Sequence, residues 1–125
     1  MPTKPRLLLS TGNAGKVREI RAILGAAGWE IVTPREAGVA LAPVAEGGRT
    51  YTENAISKAV AAARATGLPA LADDSGIEVD ALDGAPGVTS ARYGGPSMRD
   101  DHDRNALILR RLEGVPAPRR TARFR

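Results

Sequence analysis

The chain has 125 residues, a length typical of one domain with a modest hydrophobic core. Its formal charge of +4 reflects 18 basic and 14 acidic residues, but four of the basic ones are arginines within the last seven positions, so the rest of the chain is balanced. This balance argues against a broad basic face for nucleic acid. The absence of cysteine excludes disulfides, thiolate metal sites and thiol nucleophiles. No apolar run suits a signal-peptide core or a membrane span, so we expect a cytoplasmic protein without nucleic-acid or membrane partners.

The first predicted unit is a strand, a glycine-containing loop and a helix. The strand covers Arg6–Ser10, and the loop has the sequence Thr11-Gly12-Asn13-Ala14-Gly15-Lys16. The helix ends at Gly28, and its apolar stripe is Val17, Ile20, Ile23, Leu24 and Ala27. The first N–H groups of a helix and its dipole attract anions, and Lys16 adds a positive charge, so the loop is a candidate phosphate site. The same residues also serve as ordinary caps, and the spacing matches neither a P-loop nor a dinucleotide fingerprint, so both interpretations stay open.

A second strand and a second helix follow, separated by an irregular segment. The strand is predicted at residues 30–33, and the segment 34–48 carries Glu46 among several glycines and prolines. Thr50-Tyr51-Thr52-Glu53 matches a capping box, so we interpret Glu53 as a cap rather than a metal ligand. The box opens an alanine-rich helix that reaches about residue 65, with a predicted buried stripe of Ala55, Ile56, Ala59, Val60 and Ala63.

Two adjacent carboxylates, Asp73 and Asp74, end the next apolar run. Residues 68–72 are predicted as a buried strand, residues 75–76 as a turn, and residues 77–80 as a half-exposed strand. Carboxylates at the end of a buried strand must be hydrated, paired or bound to a metal, because an isolated buried charge is very costly. Successive strand residues point to opposite faces, so one of the two is expected to reach a shared groove, and the pattern does not say which. A solvated turn is the competing interpretation.

The last third combines a turn-rich segment, a third helix and a final β-like stretch. Residues 81–88 are rich in glycine and proline, which predicts a loop. A helix is predicted at residues 100–113, burying Ala106, Leu109 and Leu112. Residues 119–125 alternate arginine with apolar residues, which indicates the exposed face of a strand rather than a nucleic-acid arm.

Three polar features could converge on one site: the 11–16 loop with Lys16, Glu46, and the acidic pair. Cleavage of a nucleotide phosphate with the help of Mg²⁺ needs a basic cradle and two or three carboxylates, because Mg²⁺ binds carboxylate and phosphate oxygens together and keeps several waters. The ion stabilises charge on the phosphoryl group, and a neighbouring carboxylate can take a proton from the attacking water. The pattern therefore favours Mg²⁺-dependent phosphate chemistry where these features meet.

Four segments of the chain resemble the inosine triphosphate pyrophosphatase family, enzymes that remove non-standard purine nucleoside triphosphates from the nucleotide pool. The segments occur in the family's order, and the resemblance extends from about Leu7 to the last residue. They are Ser10-Thr11-Gly12-Asn13-Ala14-Gly15-Lys16, Thr52-Glu53-Asn54-Ala55 with Lys58-Ala59, Leu68-Pro69-Ala70-Leu71-Ala72-Asp73-Asp74-Ser75-Gly76, and Gly84-Ala85-Pro86-Gly87-Val88 leading to Ser90-Ala91-Arg92-Tyr93. The resemblance implies an α/β fold with a mixed central sheet flanked by helices, in a single domain over residues 1–125.

The resemblance also implies roles for individual residues. Asp74 corresponds to the catalytic acid of the family, which accepts a proton and faces Mg²⁺, and Glu46 corresponds to its metal partner. Ser75 is similar to a residue beside the substrate, and the triphosphate is held by Thr11, Gly12, Asn13, Ala14, Gly15 and Lys16. The implied reaction is attack of water on the α-phosphorus of ITP, dITP or XTP, which gives a monophosphate and diphosphate without a covalent enzyme intermediate. The implied partners are this purine nucleoside triphosphate and, for a full-length protein, a second copy in a homodimer.

Family members continue beyond the position of residue 125, and the resemblance assigns recognition of the purine base to those later elements. We therefore expect this chain to be an N-terminal portion of the family fold, with little or no activity of its own and with uncovered apolar surface that promotes aggregation. One competing hypothesis is a non-catalytic phosphate- or nucleotide-binding module. Another is an RNA-binding fragment with a basic tail, which the balanced charge of the remaining chain disfavours.

Overall fold

The structure is a computed structural model that describes residues 2–41 and 48–125. The chain forms two compact units, Met1–Asp74 and Ser75–Arg125. The assignment of residues 1–125 to a single domain stays a prediction. Within the described residues, no helix combines the length and the apolar character that crossing a bilayer requires.

The first unit contains a three-stranded parallel sheet and two helices. Its elements are β1 (Arg6–Ser10), α1 (Ala14–Ala26), β2 (Glu30–Val32), α2 (Tyr51–Thr66) and β3 (Ala70–Ala72). The strand order is β2-β1-β3, with parallel pairing on both sides of β1. Helix α1 packs on β2, and α2 packs on β1 and β3. Parallel strands that are covered by helices carry mostly apolar residues. The buried residues of β1 and β2 are accordingly Leu8, Leu9, Ile31 and Val32.

Helix α2 begins and ends as its sequence signals predict. Thr50 Oγ1 accepts a hydrogen bond from the N–H of Glu53 (3.1 Å), and Gly67 ends the helix in the left-handed conformation with φ 71°. The Glu53 carboxylate accepts from the N–H of Arg49 (2.7 Å), one residue before the expected position in a capping box. The interpretation of Glu53 as a cap is therefore confirmed.

The predicted buried stripe of α2 is correct only in part. Its three alanines are half-buried, but Ile56 and Val60 are exposed, at 58% and 41%, and the fully buried residues are Asn54 and Ala62, with half-buried Lys58 between them. Asn54, Lys58 and Ala62 lie at four-residue steps along one face of the helix. The helix takes this rotation because the polar ends of Asn54 and Lys58 both bind the carboxylate that follows β3. Hydrophobic periodicity could not anticipate a packed face that contains polar residues.

Two further burial predictions in the first unit are wrong. Ile23 of α1 is 68% exposed, although the sequence pattern predicts it on the apolar stripe. The strand predicted at residues 68–72 is shorter, Ala70–Ala72, and is half-buried rather than buried, with Leu71 exposed at 37%. The burial of β3 alternates along the strand, as it does when one face packs on a helix and the other does not.

The second unit is built on a two-stranded antiparallel ladder and one α-helix. Its elements are β4 (Ile77–Val79), 3₁₀ turns at Asp80–Leu82, Gly87–Arg92 and Ala117–Arg119, α3 (Asp101–Arg111) and β5 (Ala122–Phe124). Strand β4 pairs with β5, with Ile77 opposite Phe124. The predicted loop at 81–88 therefore includes short helical turns. A small core joins the strand to the helix through Val79, Ile108 and Leu112.

Helix α3 buries a different set of residues from the one predicted. Leu112, which directly follows the helix, is buried as expected, but Ala106 and Leu109 are exposed, and Leu109 reaches 58%. Ile108 takes the inward position instead, because it lies four residues before Leu112 and both side chains meet Val79. Several apolar residues cluster at positions 106–112, and the sequence did not distinguish the correct stripe.

Gly76 is part of the second unit's ladder rather than a simple turn residue. Its N–H donates to the carbonyl of Arg125 (2.8 Å) and its carbonyl accepts from the N–H of Arg125 (2.9 Å), which extends the β4–β5 pairing by one position. A Cβ at Gly76 would lie 2.2 Å from the carbonyl oxygen of Gly87 and 2.6 Å from Ser90 Oγ, so this close approach requires glycine. Parallel and antiparallel pairing both occur in the chain, and helices flank the parallel sheet. The predicted α/β class with mixed pairing is confirmed.

Candidate functional site

The strand order of the first unit determines where a site can form. Strand β1 lies between β2 and β3, so the chain moves to one side of β1 and then crosses to the other. Ser10 at the end of β1 is opposite Ala72 at the end of β3. In open parallel sheets, ligands bind at the carboxyl ends of the strands, where the direction of winding reverses. The 11–16 loop and the acidic pair leave the sheet at this point.

The 11–16 loop forms the N-terminal cap of α1. Asn13 Oδ1 accepts hydrogen bonds from the N–H groups of Gly15 (2.9 Å) and Lys16 (3.2 Å), and Thr11 Oγ1 accepts from the N–H of Asn13 (3.2 Å). Three of the amides that could bind a phosphate therefore have acceptors within the loop. The capping interpretation is confirmed, and phosphate binding stays a prediction for Thr11, Gly12, Asn13, Ala14, Gly15 and Lys16.

The two glycines of this loop differ in their surroundings. A Cβ at Gly15 would lie 3.1 Å from Asn13 Oδ1, so the absence of a side chain leaves room for the capping amide. A Cβ at Gly12 would meet nothing within 4 Å, so packing inside the chain does not require glycine there. The space over Gly12 is open, and a ligand can approach the backbone closely at that position.

The adjacent acids bind different helices. The Asp73 carboxylate forms an ion pair with Lys16 of α1, and its side chain is 41% exposed. Asp74 turns toward α2: Lys58 Nζ is 3.2 Å from its Oδ1, and Asn54 Nδ2 donates to its Oδ2 at 3.2 Å. The Asp74 side chain is 8% exposed. The two acids therefore have different surroundings, and Asp74 is the more enclosed carboxylate.

Sequence reasoning assigned no role to Asn54 or Lys58, which bind both oxygens of Asp74. Their four-residue spacing on one helix face was visible in the sequence, but the period of the apolar residues favoured a different face. The Asn54 amide also makes a second contact, because its Oδ1 accepts from the N–H of Gly48 (3.0 Å). Polar residues at four-residue steps after a capping box were the available signal.

The predicted metal ligands are only partly described. Glu46 lies outside the described residues, and within those residues no cluster of three or more His, Cys, Asp or Glu side chains could hold a metal ion. Mg²⁺ is commonly bound through one or two carboxylates together with phosphates and waters. A carboxylate has about four lone-pair sites, so Asp74 retains acceptor capacity beyond its bonds to α2 and fits the chemistry of that ion.

Ser75, predicted to lie beside the substrate, directly follows Asp74 in the chain and is the first residue of the second unit. It is half-buried. Its contact with the substrate stays a prediction.

Comparison with known proteins supports the family resemblance described from the sequence. The model of the Ham1 family matches residues 7–125. A dITP/XTP pyrophosphatase of Methylococcus capsulatus is 52% identical over 120 residues, which cover 96% of this chain and 58% of that protein. The solved structure of a HAM1 protein from Coxiella burnetii matches with a TM-score of 0.80 and 38% identity, covering 96% of this chain and 59% of that one. A nucleoside-triphosphatase, also named dITP/XTP pyrophosphatase, from Mycobacterium abscessus matches with a TM-score of 0.76 and 37% identity, covering 95% and 61%.

The chain thus spans less than two thirds of the length of these relatives. The family match covers nearly all of this chain, and the relatives preserve both its sequence and its fold. The resemblance identified from the sequence is confirmed, and this chain belongs to the Ham1 family.

Proposed function

We propose that this chain provides the phosphate- and metal-binding part of an enzyme that hydrolyses non-standard purine nucleoside triphosphates. The substrates in this proposal are dITP, XTP and ITP, and the products are the monophosphate and diphosphate. Relatives named dITP/XTP pyrophosphatase support the substrate class. The observation that carries the proposal is the enclosed Asp74 carboxylate, held on both oxygens by α2 at the point where β1 and β3 end.

Asp74 is the general base in this proposal. The oxygen of a water molecule attacks the α-phosphorus, the bond from that phosphorus to the bridging oxygen breaks, and diphosphate leaves with the electron pair of that bond. Asp74 takes the proton that the water loses. A base must be held within hydrogen-bond reach of the water, and the two bonds from α2 restrict the carboxylate to one orientation.

Positive charge near the acids suits a triphosphate. Lys16 binds Asp73 and Lys58 binds Asp74, so each carboxylate has an ammonium group beside it. In this proposal the phosphates bind the two ammonium groups and approach the backbone at Gly12, where a Cβ would meet nothing within 4 Å. Asp74 with Glu46 would hold Mg²⁺, which supplies charge neutralisation for the phosphate oxygens and the leaving diphosphate. Ser75 stands beside the substrate in the same proposal.

A non-catalytic nucleotide-binding module is the second candidate function. It is favoured by the share of the relatives' length that the chain spans, 58% of the Methylococcus capsulatus protein. This module would bind triphosphate and release it unchanged.

One assay separates the two functions. The chain is incubated with Mg²⁺ and dITP, XTP, ITP or ATP, and diphosphate is measured, while binding is followed with inorganic triphosphate. We expect slow release of diphosphate from the first three nucleotides, in keeping with the small activity expected of an N-terminal portion, and loss of that release in Asp74→Asn. Binding without release supports the module, and absence of both contradicts the proposal.

Assembly and location belong to the same proposal. We propose a homodimer for the full-length protein in the cytoplasm, with no nucleic-acid partner. Light scattering after gel filtration measures the oligomeric state. Association with RNA that weakens steeply as salt is added would contradict the last point.

A further inference from the structure

Asn54 is an unusual residue for its position. It lies in the first turns of α2 with 1% of its surface exposed, and it is the buried polar residue among the described positions. Asparagine disfavours a helix interior relative to alanine, and burial of an amide is costly unless both ends are hydrogen-bonded. Alanine, which is frequent in the rest of α2, has a higher helix propensity than asparagine. The side-chain contacts of Asn54 therefore offset the cost of placing an asparagine at this position.

The two partners of Asn54 require opposite hydrogen-bonding chemistry. The N–H of Gly48 can only donate, and it donates to Asn54 Oδ1 at 3.0 Å. The ionised carboxylate of Asp74 can only accept, and it accepts from Asn54 Nδ2 at 3.2 Å. A carboxamide offers an acceptor at one end and a donor at the other, which an aspartate or an aliphatic residue of this size cannot do. The chemistry of the two partners therefore also determines the orientation of the amide, with Oδ1 toward Gly48 and Nδ2 toward Asp74.

The Gly48 side of this contact is equally constrained. A Cβ at Gly48 would lie 2.4 Å from Asn54 Oδ1 and 2.9 Å from the Cβ of Glu53. The backbone at residue 48 therefore approaches α2 as closely as it does because it carries no side chain. One buried amide joins this backbone to the carboxylate that follows β3.

We infer that Asn54 is a positioning residue for Asp74. Its Nδ2 group holds Oδ2 while Lys58 holds Oδ1, so the plane of the carboxylate is set by two groups one helical turn apart on α2. Its Oδ1 holds the backbone at Gly48 against the same helix. The use of the oriented carboxylate as a base rests on the proposed function, but the orientation itself does not.

Two substitutions separate the two bonds of Asn54. Asn54→Asp keeps an acceptor for Gly48 and replaces the donor that faces Asp74, whereas Asn54→Ala removes both. Asn105→Asp is the matched control, because Asn105 is an exposed asparagine on α3. Backbone amide exchange at Gly48 and kcat and KM for dITP are measured for each protein, and side-chain amide exchange at Asn54 is measured for the proteins that keep this asparagine.

We expect the exchange of the Gly48 amide to stay near wild type in Asn54→Asp and to accelerate about tenfold in Asn54→Ala, the size of one lost hydrogen bond. Both variants should lose about tenfold or more in kcat with a smaller change in KM, because the orientation of the base matters in the chemical step. Asn105→Asp should match wild type in every measurement. Wild-type kcat in Asn54→Asp would overturn the inference.

A measurement without turnover keeps the inference separate from the proposed function. One Asn54 side-chain proton should exchange slowly in the wild-type chain and about tenfold faster in Asp74→Ala, which removes its acceptor. If the wild-type chain releases no diphosphate, the proposed function fails while this exchange still decides the role of Asn54. Unchanged Asn54 exchange in Asp74→Ala would refute the contact between the two side chains.

Discussion

Substitution of Gly76 by alanine tests the structure of the second unit most directly. The added Cβ would lie 2.2 Å from the carbonyl oxygen of Gly87, and Cβ contacts below 3.0 Å essentially do not occur, so the backbone must separate by roughly 0.8 Å. The same Cβ would lie 2.6 Å from Ser90 Oγ, which accepts a hydrogen bond from the N–H of Ile77 (2.9 Å). Movement of this size disturbs the β4–β5 ladder and the Ser90 contacts together.

The expected loss of stability follows from these contacts. Overpacking of a tight site costs about 1–3 kcal/mol. Loss of one or two of the hydrogen bonds made by Gly76 and Ser90 adds about 1 kcal/mol each, so the total is about 2–5 kcal/mol. Since domains are stable by only about 5–15 kcal/mol, Gly76→Ala should lower the melting temperature by about 10 °C or more.

Urea unfolding followed by circular dichroism measures the effect, and amide exchange at Ile77 and Arg125 locates it in the second unit. Gly12→Ala is the matched control, because a Cβ there meets nothing within 4 Å, and it should change stability by less than about 0.5 kcal/mol. Equal stability of Gly76→Ala and Gly12→Ala would refute the close approach of Gly76 to Gly87.

Three further predictions concern the core, a helix cap and a surface carboxylate. Leu8→Ala should cost about 2–5 kcal/mol because Leu8 is fully buried, whereas Ile23→Ala at an exposed position should cost much less, and similar urea midpoints for the two would contradict the packing. Asn13→Ala should lose about 0.5–2 kcal/mol through the cap of α1, with Asn13→Ser restoring most of it; no loss would show that the cap is dispensable. The Thr121 hydroxyl holds the pKa of Asp80 below its ordinary value of 3.8, so the stabilisation from Asp80 is present above about pH 4 and is lost as the pH falls through the lowered pKa. Thr121→Val should raise that pKa in a carboxyl ¹³C titration, and an unchanged titration would exclude the hydroxyl as the cause.

The sequence predicted local features well because local physics determines them. The glycine and capping signals placed the start and end of α2 to within about one residue of their observed positions, an unusually good agreement for helix boundaries. The strand Arg6–Ser10 followed from its apolar run. The resemblance to the family, and no local pattern, distinguished Asp74 from Asp73, and the role of Asp74 as the reactive acid stays a prediction.

The orientation of α2 could not be predicted from periodicity. Ile56 and Val60 are more apolar than Asn54 and Lys58, yet the polar pair faces inward. The decisive contact is with Asp74, which lies 16 residues from Lys58 and 20 from Asn54 in the chain. The inward orientation of Asn54 and Lys58 is favoured only when β3 has paired with β1, because that pairing places the carboxylate beside the helix.

The short connection between α2 and β3 makes the arrangement sensitive to chain length. Helix α2 ends at Thr66 and β3 begins at Ala70, so three residues set the register of the strand relative to the helix. A single inserted residue would invert every side chain of the strand and exchange the directions of Asp73 and Asp74. We therefore expect every functional variant of this chain, natural or engineered, to have neither insertions nor deletions at residues 67–69. Transfer of the carboxylate and its two donors to another protein would require the helix, the connection and the strand to be moved together as one continuous segment.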